Sequence, residues 1–262
     1  MTTTRHNRTL RLVLAYEGTD FHGWQRQAGV RTAQEEVEVV ARRVIGEPLH
    51  VIGASRTDSG VHARGQTAHI RCNSTIPAEN LRRAIGQRLP NDLALLHVSD
   101  APLGFDAIRS ARGKRYRYAL WNDRQRPVTQ LGGRYHWHLW YQLDPERMQR
   151  AARDMVGTHD FTSFASMGSP RESNVRTVHH VSVRARGPEV QIDVFGSGFL
   201  YNQVRNMVGT LVEIGRGHWE PDCIPGIIAA EDRQAAGPTA PPQGLCLAWV
   251  EYPPDAEIGD DR

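Results

Sequence analysis

Residues 54 to 66, "ASRTDSGVHARGQ", put Arg56, Asp58, His62 and Arg64 in one short run of glycines and small residues. A carboxylate between arginines on a turn has three uses: a solvated salt bridge, an Asx-turn, or a reactive acid whose ionisation its neighbours control. A second unusual charge lies far away in "FLYNQVRNMVGTLVEIG", residues 199 to 215. There Val204, Met207, Val208 and Leu211 follow helical spacing, and Arg205 sits one residue off that stripe with no acid within three or four positions. A partly buried cation left unpaired is costly, so Arg205 either reaches solvent along its stem or finds a distant carboxylate. Asp58 is such a carboxylate, and the pairing would favour its charged form. In "KRYRY", Tyr116 and Tyr118 alternate with Arg115 and Arg117, so on a strand both rings share one face. That face suits either stacking on an unpaired base or burial in a core.

The elements that must carry these residues read as α+β. Residues 10 to 16 form a strand, and a polar, glycine-punctuated loop follows. Thr32 and Glu35 have capping-box spacing, Val37, Val40, Ala41, Val44 and Ile45 mark one helical face, and Gly46 supplies the stop. Strands over 49–54 and 65–72 make the Asp58 segment a loop between strands, where a scaffold can expose reactive groups. Pro77 opens a second helix, and "LALLHVS" and "KRYRYALW" read as further strands. From about residue 144 the order recurs: a helix at "DPERMQRAARDMVG", strands at "TVHHVSVRAR" and "VQIDVFG", and a helix at "NQVRNMVGTLVEIG". A proline-rich connection, "RQAAGPTAPPQG", then leads to a last strand, "LCLAWVEY". The expectation is two similar halves, residues 10–108 and 109–252, each an antiparallel or mixed sheet with helices on one face, between unordered ends at 1–9 and 253–262.

Composition narrows the function classes. The chain has 262 residues, 39% hydrophobic, with a mean hydropathy of -0.51. It shows neither a transmembrane run nor a secretory signal, which places it in the cytoplasm without a membrane partner. Cys72, Cys223 and Cys246 lack any CxxC spacing, and the "HWH" and "HH" pairs lack supporting ligands, so no metal and no disulfide framework is expected. Net charge is only +3, but Lys114 is the only lysine beside 31 arginines. Arginine grips phosphate bidentately and stacks on bases. Its clusters at Arg82, Arg83 and Arg88, and at Arg109, Arg112, Arg115 and Arg117, therefore suit an RNA backbone.

Taken together and in order, "GWQRQ" (23–27), "SRTDSGVHARGQ" (55–66), "KRYRY" (114–118), "DFTSF" (160–164), "FLYNQVRNMVG" (199–209) and "QGLCL" (243–247) resemble the bacterial tRNA pseudouridine synthase A family, over about residues 10 to 252. The resemblance implies the pseudouridine synthase fold, its sheets joined around a central basic RNA-binding cleft. It implies an isomerase that converts uridines 38, 39 and 40 of the tRNA anticodon stem-loop to pseudouridine, as a homodimer with no cofactor and no metal. Residue by residue, it makes Asp58 the nucleophile and Arg205 its partner. Arg56 would help extrude the target base, Tyr116 would stack on it, and Leu245 would line the uracil pocket. Arg82, Arg83, Arg88, Arg112 and Arg115 are expected on the RNA backbone.

Two positions depart from the family pattern: Ser59 stands where alanine is commoner, and "YN" at 201 and 202 is one of several variants. Neither removes a catalytic group. Two other classes remain open from sequence: a non-catalytic tRNA-binding or tRNA-folding protein on the same scaffold, and a nucleoside hydrolase using Asp58. Hydrolysis usually needs a second carboxylate, and the 54–66 run offers none.

Overall fold

In the computed structural model, described over residues 6–128, 132–166 and 173–254, the chain divides into two units. The first holds residues up to Arg112 and again from Leu247 on, and the second holds Gly113–Cys246. The return of residues from Leu247 to the first unit is not visible in the order of elements, which assigns the whole C-terminal stretch to the second half. Partners that far apart in sequence leave no local signal.

The first unit contains strands β1 (Arg8–Tyr16), β2 (Ile52–Gly53), β3 (His62–Cys72) and β4 (Leu93–Ala101), and helices α1 (Ala33–Ile45) and α2 (Ala78–Gly86). The sheet order is β4, β1, β3, then the last strand, β10 (Leu245–Glu251), with β2 appended to β3. β1 pairs antiparallel with both β3 and β4. Period-2 alternation puts Leu10, Leu12 and Leu14 fully inside. Leu81 and Ile85 of α2, which packs along β4, and Val37, Val40 and Ala41 of α1 are buried as well. β1 begins inside the stretch expected to be unordered, because Arg8 donates to Asp100 and to the carbonyls of Ser74 and Ile76.

The capping box expected at Thr32 does not form. Thr32 is the N-cap residue, but its hydroxyl makes no cap bond, and Glu35 turns to Arg26 at 3.4 Å. The first amides of α1 are taken instead by main-chain carbonyls: Ala33 donates to Gly23 at 3.2 Å and Gln34 to Trp24 at 3.0 Å. The first two amides of the helix are thus satisfied by main-chain carbonyls rather than by a side-chain cap. The helix stops as expected at Gly46, with φ 79.

β3 also carries His69, 1% exposed, whose Nδ1 accepts the Ala107 amide at 3.0 Å while Phe105 meets its ring edge-on. Burial lowers its basicity below the ordinary value of 6.5.

The second unit contains β5 (Gly113–Asn122), α3 (Gly132–Tyr135), β6 (Trp137–Leu139), α4 (Pro145–Arg153), β7 (Gly157–Asp160), β8 (Val175–Arg186), β9 (Glu189–Gly196), α5 (Gln203–Gly215) and α6 (Ile224–Ala230). Its strands run β5, β9, β8, β7, antiparallel throughout, and β6 adds parallel to β5, so the sheet is mixed. Asp144 caps α4, accepting from the amides of Glu146 and Arg147, with Pro145 in the first turn. α4 is shorter than its sequence pattern suggests, because the chain turns into β7 at Gly157. Arg117 of β5 faces Asp193 of β9 and holds this buried carboxylate at 3.0 Å through Nε, helped by Gln191 at 2.6 Å. The architecture is the expected α+β arrangement of sheets with helices.

Candidate active site

In the first unit, the Asp58 loop leaves β2 and enters β3. Strand-like alternation continues into it: Ser55 and Thr57 are buried, Arg56 is exposed and Asp58 half-buried. The inward residues are the anchors. Gln66 closes a two-bond clasp on the backbone of Ser55, at 3.2 and 2.6 Å. The Thr57 hydroxyl lies 2.7 Å from the Tyr16 phenol, and its carbonyl accepts the Trp24 amide at 3.1 Å. Beyond them a turn closes from the Val61 amide to the Asp58 carbonyl at 3.1 Å, with Gly60 at φ 78. The Gly60 amide and the Ser59 hydroxyl both donate to the Phe21 carbonyl, at 3.2 and 3.4 Å. These contacts fix the backbone of the turn, on which Arg56 is exposed and Asp58 half-buried.

His62 and Arg64, the other two residues of that set, separate from this pair. His62 is 5% exposed and accepts the Gly18 amide on Nδ1 at 2.9 Å, so it serves the fold. Arg64 is exposed. Segment 21–24 braces the loop from behind: a Cβ on Gly23 would stand 2.5 Å from the Thr57 carbonyl, and one on Gly53 would strike the Trp24 indole at 2.3 Å. This supporting role of Gly23 and Trp24 is not readable from residue type. Only their occurrence in the "GWQRQ" motif marks them.

The second unit carries Tyr116, Arg205 and Leu245. Tyr116, 6% exposed on β5 opposite Val194, meets Phe199 edge-on at 5.5 Å. Tyr118, on the same face, is fully buried and donates its hydroxyl to the Pro241 carbonyl at 2.7 Å. Burial pushes its phenol well above the ordinary range, with Arg205 opposing the shift. Tyr118 is a core residue. The short turn Pro242–Gly244 lies against it so tightly that a Cβ on Gly244 would come within 2.5 Å of the ring, and Leu245, 5% exposed, follows directly.

Arg205 is half-buried in the first turn of α5. Its Nε donates to the Ala240 carbonyl at 2.7 Å and one terminal nitrogen to Asn202 Oδ1 at 2.8 Å. The proline-rich connection is therefore a structured strap along α5. The Ala240 amide returns a bond to the Arg205 carbonyl, and Gly209 admits the Pro238 carbonyl where a Cβ would leave no room. Asn206 fastens the same helix on two sides. Its amide donates to the Phe164 carbonyl at 2.7 Å, and its Oδ1 accepts from Arg233 and Thr239 at 3.0 and 2.6 Å. These contacts join the "DFTSF" and "VRNMVG" motifs physically.

The arginine clusters differ in availability. Arg82 and Arg83 both bind Glu79, at 2.8 and 3.0 Å, and hold that carboxyl down at about 2. Arg88 and Arg112 are exposed, and Arg115 lies 5.5 Å from the Phe195 ring centre. A cleft of about 620 Å³ in the second unit, lined by Asn122, Asp123, Arg124, Trp140, Tyr141 and Gln142, includes none of the expected site residues. Among the described residues, no three His, Cys, Asp or Glu side chains converge as metal ligands, and no helix is long and apolar enough to cross a membrane.

Comparison with known proteins defines the class. A family model described as tRNA pseudouridine synthase matches residues 12–108 and 151–253, ranges that contain Arg56, Asp58, Arg205 and Leu245 but not Tyr116. Full-length relatives narrow it further. The chain is 43% identical over 245 residues to tRNA pseudouridine synthase A of Acetivibrio thermocellus, covering 94% of this chain and 100% of the relative. It is 45% identical to that of Moorella thermoacetica, covering 93% and 99%, and 42% identical to that of Geotalea uraniireducens, covering 94% and 100%. The chain belongs to the tRNA pseudouridine synthase A family.

Proposed function

We propose that this protein isomerises uridine to pseudouridine in tRNA, at positions 38, 39 and 40 of the anticodon stem-loop, acting in the cytoplasm as a homodimer. The reaction breaks the C1′–N1 bond, turns the uracil and rejoins it through C5. The proton lost from C5 is matched by one gained at N1, so no co-reactant is needed. The observation that carries the reading is the Asp58 turn. Its backbone is fastened at Ser55, Thr57, Gly60 and Val61, with Arg56 exposed and Asp58 half-buried on the turn.

A carboxylate on such a turn arrives at the substrate already oriented, which preorganised catalysis requires. Asp58 is the nucleophile, and Arg205 is the cation that keeps it ionised and aimed. Arg56 occupies the space left by the extruded base, Tyr116 stacks on the uracil and Leu245 covers its apolar edge. Stacking and backbone contacts offset the few kcal/mol that base flipping costs. Arg82, Arg83, Arg88, Arg112 and Arg115 hold phosphates.

The test is tritium release from anticodon stem-loop RNA labelled at uridine C5, comparing wild type with Asp58→Ala and following RNA binding in parallel. Release by the wild type alone, with binding kept by both, is the expected result. Binding without release by the wild type would leave an RNA-binding module, and free uracil would mean a hydrolase.

A further inference from the structure

We propose that Asn202 is a positioning residue for isomerisation: its side-chain amide sets the direction of the Arg205 guanidinium and ties it to Ser166. The inference rests on the isomerase reading above and concerns a position that sequence offers only as variable.

Three observations meet at this residue. Its backbone is left-handed, at φ 59 and ψ 4, one of only two such non-glycine residues among those described. That conformation is unfavourable for most side chains but tolerated by asparagine. Asn202 is also the N-cap of α5, where asparagine ordinarily accepts from an amide of the first turn, yet it makes no such cap bond. The side chain points elsewhere. Oδ1 accepts from Arg205 at 2.8 Å, and Nδ2 donates to Ser166 Oγ at 3.0 Å.

The amide is thus a two-ended link. Ser166 is itself fixed, since its amide donates to the Tyr201 carbonyl at 3.1 Å. The Ala240 carbonyl takes Nε of the same guanidinium from another direction. Two acceptors on different nitrogens hold the guanidinium plane against rotation, which one acceptor could not do. Arg205 must present its remaining donors in a set direction to aim a carboxylate, so an arginine left to rotate would cost turnover while leaving tRNA affinity largely unchanged.

The experiment compares Asn202→Gly, Asn202→Asp and Ser166→Ala with wild type in the tritium-release assay, with kcat and KM measured separately. Glycine accepts the left-handed backbone and removes only the amide. The expected result is a kcat at least tenfold lower for Asn202→Gly, with KM for tRNA within about twofold of wild type. Asn202→Asp, which keeps an acceptor for Arg205, should recover at least a third of wild-type kcat, and Ser166→Ala should fall between. Wild-type kcat in Asn202→Gly would overturn the inference, as would an Asn202→Asp variant no better than glycine, or a loss confined to KM. A wild type that released no tritium would overturn the isomerase reading itself, and this inference with it.

Discussion

The α-carbon of Gly23 faces the carbonyl of Thr57 so closely that a methyl group there would lie 2.5 Å from the oxygen. Gly23 also has φ 84, so any side chain is disfavoured on two counts. Gly23→Ala is expected to lose about 1–3 kcal/mol of stability, the cost of a left-handed alanine together with the displaced loop. Because Thr57 immediately precedes Asp58, turnover should fall further than stability alone explains. Thermal unfolding and tritium release on one preparation check this, and full activity in a destabilised variant would detach segment 21–24 from the site.

Tyr116 lies edge-on to Phe199 and is almost wholly enclosed, so its ring can stay in place without its hydroxyl. Tyr116→Phe is expected to keep stem-loop binding within about threefold and to slow turnover by tenfold or more, as a general acid or base contributing at C5 would. If turnover is undiminished, the ring alone matters.

His69 gives the stability a pH dependence of known sign. Burial, aided by Arg71, depresses its basicity below 6.5 against the opposing pull of Asp106. As pH falls below about 6.5, the unfolded chain takes up this proton first. Its contribution is therefore complete at neutral pH and lost on acidification, when protonation of Nδ1 also removes the acceptor of the Ala107 amide. Urea midpoints at pH 7 and pH 5.5 should differ more for wild type than for His69→Gln. Equal differences would show that His69 does not titrate with folding.

Glu79 engages Arg82 and Arg83 together on the exposed side of α2. Removing its charge releases both guanidinium groups. Glu79→Gln is expected to bind tRNA more tightly and to steepen the dependence of log K on log salt, while Arg88→Ala and Arg112→Ala flatten it by about one unit each. Filter binding across 50–300 mM salt decides it, and an unchanged slope in an arginine variant removes that residue from the phosphate contacts.

Much of this was legible because local rules govern it. The periodicity of α1 and α5, the glycine stop at Gly46 and the shared face of Tyr116 and Tyr118 all follow from residue type and spacing. Thr32 misled because a helix amide does not distinguish a side-chain cap from a distant carbonyl, and Gly23 and Trp24 supplied the carbonyls. His62 looked like part of the reactive set, yet the Gly18 amide claims it. The pairing of the last strand with β3 and the clamp of Ala240 on Arg205 span too much sequence for any pattern to announce. In each case the missing information is a long-range main-chain contact.

The return of β10 to β3 has a consequence for biosynthesis. A ribosome releases β1, β2, β3 and β4 early, then makes the whole of residues 113–246 before the strand that belongs beside β3 exists. Gly65 of β3 is shaped for that latecomer: a Cβ there would meet the Ala248 carbonyl at 2.5 Å. Until residues 247–251 emerge, that edge of β3 is held only at Ala68 and His69 by the two residues of β2, and its stretch around Gly65 lacks its strand partner. The anchors of the Asp58 turn, at Tyr16, Phe21, Trp24 and Gln66, are all synthesised early, so only the far edge of the strand that follows it waits for the end of the chain.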